Sequence, residues 1–340
     1  MVNLGSRILP ARVLGTMAVA GLLVPFAPGA AQAAPTAAAT CRSVAMPVPA
    51  GSIFSSVNGG DSSGRYLVGA AESYGSSTGL LWVDGRLKPI DQSPLAPYVQ
   101  VQFNAVNRRG VIVGERMIDE SSFHTDAFVY RGGRFTLLPA PNPGDETHAL
   151  AVNSRGDIVG DAFTASGWQP VEWQAARPGT VRVLSTPGGG GGFATGIDED
   201  GTVVGYLTPW PPGTPYVWPA RGAARALPFP AGDPGLVGGN AVAIRFGMVA
   251  GNVTDPATGA DVPALWNLRT GRSTVWRGVQ GGATSVNRWG TIGMAGGGVV
   301  YADGRVVPLT GAVNTISDRG AIAGATRLSA GYAVRWRGCR

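Results

Sequence analysis

From Val57 onward, apolar residues arrive in short bursts of three or four, each bounded by small polar residues and glycine, and one burst recurs along the chain. It reads Val106-Asn107-Arg108-Arg109-Gly110-Val111-Ile112-Val113-Gly114, then Val152-Asn153 to Gly160, then Ile197-Asp198 to Gly205. Weaker copies start at Ile244, Val286 and Ile316, and a first copy with a longer turn runs from Val57-Asn58 to Gly69. The closing glycines 69, 114, 160, 205 and 251 lie 45 or 46 residues apart, and the last two copies are shorter. The pattern predicts a turn and then a strand. Asn, Asp or Ser accepts hydrogen bonds from the backbone ahead, and glycine three residues later takes a left-handed conformation. The β-branched residues that follow suit a buried strand.

A second burst follows each turn: a small residue, two mostly apolar residues, then an aromatic. Gly79 to Trp82, Ala127 to Tyr130, Pro170 to Trp173, Pro215 to Trp218, Pro263 to Trp266, Gly298 to Tyr301 and Ala333 to Trp336 are its seven copies. These strands are apolar on both faces, which places each sheet between two covering layers. Glu172 and Arg335 interrupt the pattern and are expected at partly wet positions. Hairpin signals such as Asp84-Gly85 and Asp303-Gly304 come next, then a short strand ending near Leu or Pro. No stretch has helical periodicity. Repeats of three or four short strands, covered on both sides, predict an all-β fold, a β-propeller of seven blades with six and eight as bounds. One propeller domain of about seven repeats is expected over 41–340.

The last repeat stops early. Trp336-Arg337-Gly338-Cys339-Arg340 aligns with Tyr130-Arg131-Gly132-Gly133-Arg134, and the strand that should follow resembles Arg42 to Pro47 instead. The N-terminal strand is therefore expected to complete the last blade. Cys41 and Cys339, the two cysteines of the chain, fall on one equivalent turn and are expected to form a disulfide across the cut.

Before the repeats, Arg7 and Arg12 precede an apolar run from Val13 to Phe26, and Ala31-Gln32-Ala33 follows. This is the pattern of a secretory signal peptide over 1–33, leaving 34–40 as a short flexible N-terminus. A membrane anchor would need a longer run, and Thr40 is a poor residue before a lipidated Cys41. Without Arg7 and Arg12, 25 basic residues face 21 acidic ones, a net charge of +4 with no basic run. That argues against a nucleic-acid partner. No further long apolar segment follows, so no membrane span is expected after cleavage, and the exported chain is read as a monomer. Export also suits a disulfide. Gly and Pro make up 79 of 340 residues, a share met in disordered chains, but here they punctuate a regular apolar pattern.

The repeats resemble the HAF-type extracellular repeat of secreted bacterial proteins, in which an A-x-x-I-N-x-x-G-x-V-V-G segment precedes H-A-F-L-W and L-G-T-L-G-G. Ala149 to Gly160 and Ala194 to Gly205 match the first part, His124 to Tyr130 the second with an insertion, and Leu184 to Gly189 the third. The likeness covers most of residues 50–340. It implies a propeller-like fold and export, and no general activity.

Little in the chain carries chemistry. Its two histidines, His124 and His148, are expected in or beside loops, too isolated for a zinc site. Asp198-Glu199-Asp200-Gly201 resembles a calcium loop but occupies the repeat's turn. Asp119-Glu120 and Asp145-Glu146 are acidic pairs in long loops. Gly188 to Gly192 leads into a strand, where a phosphate cradle would need a helix. No nucleophile elbow, P-loop or zincin motif occurs. Thus no catalytic, cofactor or metal residue is assigned. Trp168 and Trp210 are expected in loops outside the repeated core, suited to stacking on sugars or seating on a partner. Two classes of function remain. One is a secreted, non-enzymatic scaffold, extracellular or at the cell envelope, presenting loops to a protein or glycan. The other is an extracellular carbohydrate-active hydrolase or lyase with its site at the mouth of a central channel.

Overall fold

The computed structural model describes residues 41–119, 121, 123–209, 213–230, 235–279, 281–327 and 329–339. The signal peptide read at 1–33, the segment 34–40, Glu120 and Trp210 lie outside the described residues. No helix among the described residues is long and apolar enough to cross a membrane.

The described chain is all-β apart from two short 3-10 turns, Ser93–Leu95 and Pro187–Gly189. It opens with β1 (Arg42–Ala45). Unit 1 is β2 (Phe54–Gly60), β3 (Tyr66–Ser73), β4 (Ser76–Val83) and β5 (Arg86–Lys88). Unit 2 is β6 (Gln100–Val106), β7 (Ile112–Met117), β8 (Thr125–Arg131) and β9 (Arg134–Leu137). Unit 3 is β10 (Glu146–Val152), β11 (Ile158–Thr164), β12 (Gly167–Trp173) and β13 (Arg182–Val183). Unit 4 is β14 (Gly192–Ile197), β15 (Val203–Leu207), β16 (Thr214–Trp218) and β17 (Arg225–Ala226). Unit 5 is β18 (Val237–Arg245), β19 (Met248–Asp255), β20 (Ala260–Asn267) and β21 (Arg272–Val275). Unit 6 is β22 (Ala283–Val286), β23 (Ile292–Met294), β24 (Val299–Val300) and β25 (Val306–Val307). Unit 7 supplies only β26 (Ala312–Ile316), β27 (Ile322–Ala325) and β28 (Ala333–Arg337), and its fourth strand is β1.

Every unit is an antiparallel four-stranded meander. Units 1 and 2 share one larger sheet through a single parallel pair, Ser77 with Gln100. β1 pairs antiparallel with β28, Arg42 opposite Arg337 and Ala45 opposite Val334, so the strand expected to complete the last unit does so. Cys41 and Cys339 are joined by a disulfide, with Cα atoms 4.5 Å apart.

The turn chemistry follows the sequence. Asn107 Oδ1 accepts from the N–H groups of Arg109 and Val111, and Asn153 and Asn287 repeat the motif. Gly110 and Gly156 sit at φ +73° and +93°, where a side chain is disfavoured. The closing glycine has a separate reason. In all seven units the first strand carries a one-residue bulge: at Asn58, Asn104, Leu150, Thr195, Val242, Thr284 and Asn314. The kink drives the first strand's backbone onto the second. At Gly160, a Cβ would lie 1.8 Å from the carbonyl oxygen of His148.

There is no single core. Seven apolar clusters occupy the junctions between successive units, each drawing on two neighbours. Trp82, Trp173, Trp218, Trp266 and Trp336 are buried there, as the doubly apolar third strand requires. Four of these indoles donate to a carbonyl at the end of the preceding unit: Trp82 to Pro47, Trp173 to Pro139, Trp218 to Ser185 and Trp266 to Pro228, at 2.6–2.8 Å. Pro47, just after β1, thus stands where Pro139 stands, which carries the register match into three dimensions. Glu172 departs from expectation. It is buried rather than partly wet, because the Arg182 guanidinium covers and pairs with it and Gln174 donates to it.

The junctions are also bonded through the bulges. Asn58 Nδ2 donates to Phe103 O at 3.2 Å, Asn104 to Ala149 O at 3.1 Å and Thr195 Oγ1 to Ala241 O at 2.8 Å. Thr284 Oγ1 donates to Val313 O, and Asn314 Nδ2 to Val57 O at 2.8 Å. Each acceptor is the residue just before the next unit's bulge. The last bond runs from unit 7 to unit 1, and β2 packs on β26, so the succession of contacts returns to its start.

Candidate functional site

The meander order sorts the connections between two ends of the molecule. First-to-second turns share one end, the turn end. Second-to-third hairpins share the other, the hairpin end. Repetition of one donor–acceptor pair at junction after junction keeps the units in one orientation.

At the hairpin end, three consecutive units expose an aromatic ring on the corresponding loop. Tyr332 (unit 7), Tyr74 (unit 1) and Phe123 (unit 2) are 55%, 92% and 48% exposed. No motif marks them in the sequence. They are isolated aromatics in polar loops, and only topology shows that the three loops are equivalent. Trp168 belongs to the next unit, but it lies in strand β12 and not in a loop. The β11–β12 hairpin is so tight that Gly167 already pairs with Thr164, which puts Trp168 opposite Phe163. Its half-buried ring stacks on His148 (5.4 Å, 29°) and lies against Phe193 (5.5 Å), which stacks on Tyr206 (4.8 Å). Trp210 falls between β15 and β16, outside the described residues.

His148 is not a solvated loop residue. It sits on β10, directly opposite Asp161 on β11, with 15% of its side chain exposed. Its Nδ1 is 2.7 Å from Asp161 Oδ1 and its Nε2 is 2.8 Å from Thr125 Oγ1. Burial alone would lower its pKa. The charge of Asp161, reinforced by Glu115, by the hydrogen bond to Asp161 and by Glu146, outweighs burial and raises it to about 9. The connectivity of Thr125, His148 and Asp161 is that of a nucleophile, base and orienting acid. The protonation state is wrong for that use. At neutral pH the ring is an imidazolium, so Nε2–H donates to Thr125 and has no lone pair for its proton. Thr125 is itself buried. The trio therefore ties β8, β10 and β11 together. No sequence motif marks it, because the opposition of residues 148 and 161 depends on strand register.

The remaining candidates serve as turns. Asp198 accepts from the N–H groups of Phe246 (2.9 Å) and Gly247 (2.7 Å) in the next unit, and Asp200 from Thr202 N. Asp119 accepts from Ser121, and Asp145 from Asn142. His124 lies beside Asp126 at 3.4 Å. Gly188 to Gly192 passes through a 3-10 turn into β14.

At the turn end, residues at the first or second position of the turn converge from several units. Arg245 of unit 5 donates to Glu199 of unit 4 at 2.7 Å and to Asp318 of unit 7 at 2.9 Å. Glu199 also accepts from the backbone N–H and hydroxyl of Ser154 in unit 3. Burial would raise the pKa of Glu199, but its bonds to Ser154 and Arg245 hold it below the ordinary value, so the network is ionised. Among the described residues, no three His, Cys, Asp or Glu side chains gather around one metal position.

No protein-family model matches the chain, and no curated protein matches it. The likeness to the HAF-type repeat stands on its motifs alone.

Proposed function

We propose that the seven units are the blades of a seven-bladed β-propeller, and that the chain is a secreted scaffold that binds a glycan or protein through its hairpin end. The cyclic succession of junctions and the fourth strand contributed by β1 support the propeller reading. The signal-peptide pattern, the disulfide and the HAF-like repeats support export. One observation carries the binding reading: Tyr332, Tyr74 and Phe123 lie exposed on equivalent hairpins of three neighbouring units. Large, half-rigid rings on loops of a rigid frame provide contact area at small entropic cost. The catalytic alternative is weaker, because the histidine–carboxylate pair is held as an ion pair and its hydroxyl partner is buried. A glycan array probed with the purified protein tests both readings. Binding should fall at least about tenfold when Tyr74, Phe123 and Tyr332 are changed together to Ala, and should survive His148→Gln. Cleavage of any arrayed polymer that His148→Gln abolishes would establish the enzyme instead.

A further inference from the structure

The turn end has a second feature, which meets the network around Arg245 at Asp318. A depression of about 220 Å³ there is lined by Ser62, Ser63, Arg108, Arg288, Trp289, Asp318 and Arg319, drawn from units 1, 2, 6 and 7. Its charge is unbalanced. Asp318 already accepts from Arg245, and the backbone N–H of Arg288 donates to it at 2.9 Å. The guanidinium groups of Arg108, Arg288 and Arg319 have no carboxylate partner among the described residues. Three cations thus face one committed anion.

The arginines are not simply a solvated fringe. Arg288 lies over the ring of Phe246 (4.7 Å), which Arg245 also contacts (4.8 Å), and over that of Trp289 (4.9 Å). Phe246 is placed by a departure from the repeat. The unit 5 turn is one residue shorter than its counterparts, and Phe246 takes φ +51°, a conformation costly for a bulky side chain. Asp198 holds that turn through the N–H groups of Phe246 and Gly247. The Trp289 indole donates to Asp318 O at 3.1 Å, which fixes the ring while leaving it 63% exposed. A guanidinium lying over aromatic rings keeps N–H groups at its edge free for two parallel bonds to an oxyanion. The Ser63 hydroxyl is already bonded to Asp61, which leaves the Ser62 hydroxyl and the exposed indole of Trp289 beside the arginines to meet a sugar ring.

We infer that this depression is a binding site for an acidic glycan, a sugar chain bearing carboxylate or sulfate groups, gripped by Arg108, Arg288 and Arg319 against Trp289. It is separate from the aromatic hairpins at the other end, so the two sites can succeed or fail independently.

Binding of polygalacturonate, dextran sulfate and neutral dextran to the purified protein decides it. Wild type should bind at least one of the two charged polymers, and which one identifies the oxyanion. Changing Arg108, Arg288 and Arg319 together to Gln should weaken that binding at least about tenfold and leave any neutral-glycan binding unchanged. A control that removes the same charge at exposed outer positions, Arg86, Arg134 and Arg225 together to Gln, should bind as wild type does. Trp289→Ala should cost affinity even in salt that screens the arginines. No binding of either charged polymer, or equal loss in the two triple variants, would overturn the inference. The Tyr74, Phe123 and Tyr332 variants should bind the charged polymers normally.

Discussion

His148 shows how strand register sets the chemistry of one residue. Asp161 lies directly opposite, Glu115 and Glu146 add negative charge from β7 and from β10 itself, and Thr125 caps the far nitrogen. A folded-state pKa of about 9 against an unfolded value near 6.5 means that the folded chain holds the proton more tightly. The stabilisation is therefore complete below pH 6.5 and is lost as pH rises through about 9. Its size is on the order of 3 kcal/mol. Melting curves should show falling stability across that window, and His148→Gln should flatten the fall. An unchanged slope in the variant would mean that other groups set the pH dependence. The same position in unit 4 is Phe193, and the stack from His148 through Trp168 and Phe193 to Tyr206 joins the two units through rings.

At the scale of the element, the bulge explains more than the turn does. It supplies the reason for the closing glycine, and it aims one side chain of each first strand at the next unit. Where that side chain is Asn or Thr, it donates to the carbonyl of the residue before the next unit's bulge; at Leu150 and Val242 it cannot. Asn314→Leu should cost about 1–3 kcal/mol in urea unfolding, since the Val57 carbonyl would lose its partner in a place largely closed to water. Leu150→Val, at a bulge with no such bond, should cost under about 1.5 kcal/mol. The turns, glycines and buried tryptophans were legible in the sequence because each is demanded by local backbone geometry or by a doubly covered strand. The bulge was not, because its residue varies among Asn, Thr, Leu and Val, and its function lies in another repeat. Trp168 was misplaced for a related reason: a two-residue hairpin starts β12 earlier than its polar neighbours suggest. The Arg245 cluster was invisible, since its members are 46 and 73 residues apart and meet only through the cyclic order of the units.

At the scale of the whole molecule, stability is a circle of junctions rather than a centre. Every unit buries its third strand only because both neighbours are present, so cutting the circle anywhere exposes two apolar faces at once. Three devices guard the junction where the chain's two ends meet: the β1–β28 ladder, the Trp82 bond to Pro47 and the Cys41–Cys339 bridge. The bridge spans 298 residues. Loop-closure entropy for so long a span gives roughly 5 kcal/mol as its upper contribution. Changing Cys41 and Cys339 together to Ser should lower the unfolding free energy toward that limit. The β1–β28 ladder should persist, as hydrogen exchange at Val44 and Met46 would report. Loss of less than about 1 kcal/mol would mean that the ladder alone closes the ring.

That β1 belongs to the last unit also sets a timetable. Made before every other strand, it has no partner until the third strand of unit 7 has been synthesised. At about 5–20 residues per second, β1 waits tens of seconds, while units 1 to 6 can already dock on one another. A nascent chain therefore carries a half-built arc with an open edge at either end, and the final clasp is the longest-range contact in the molecule.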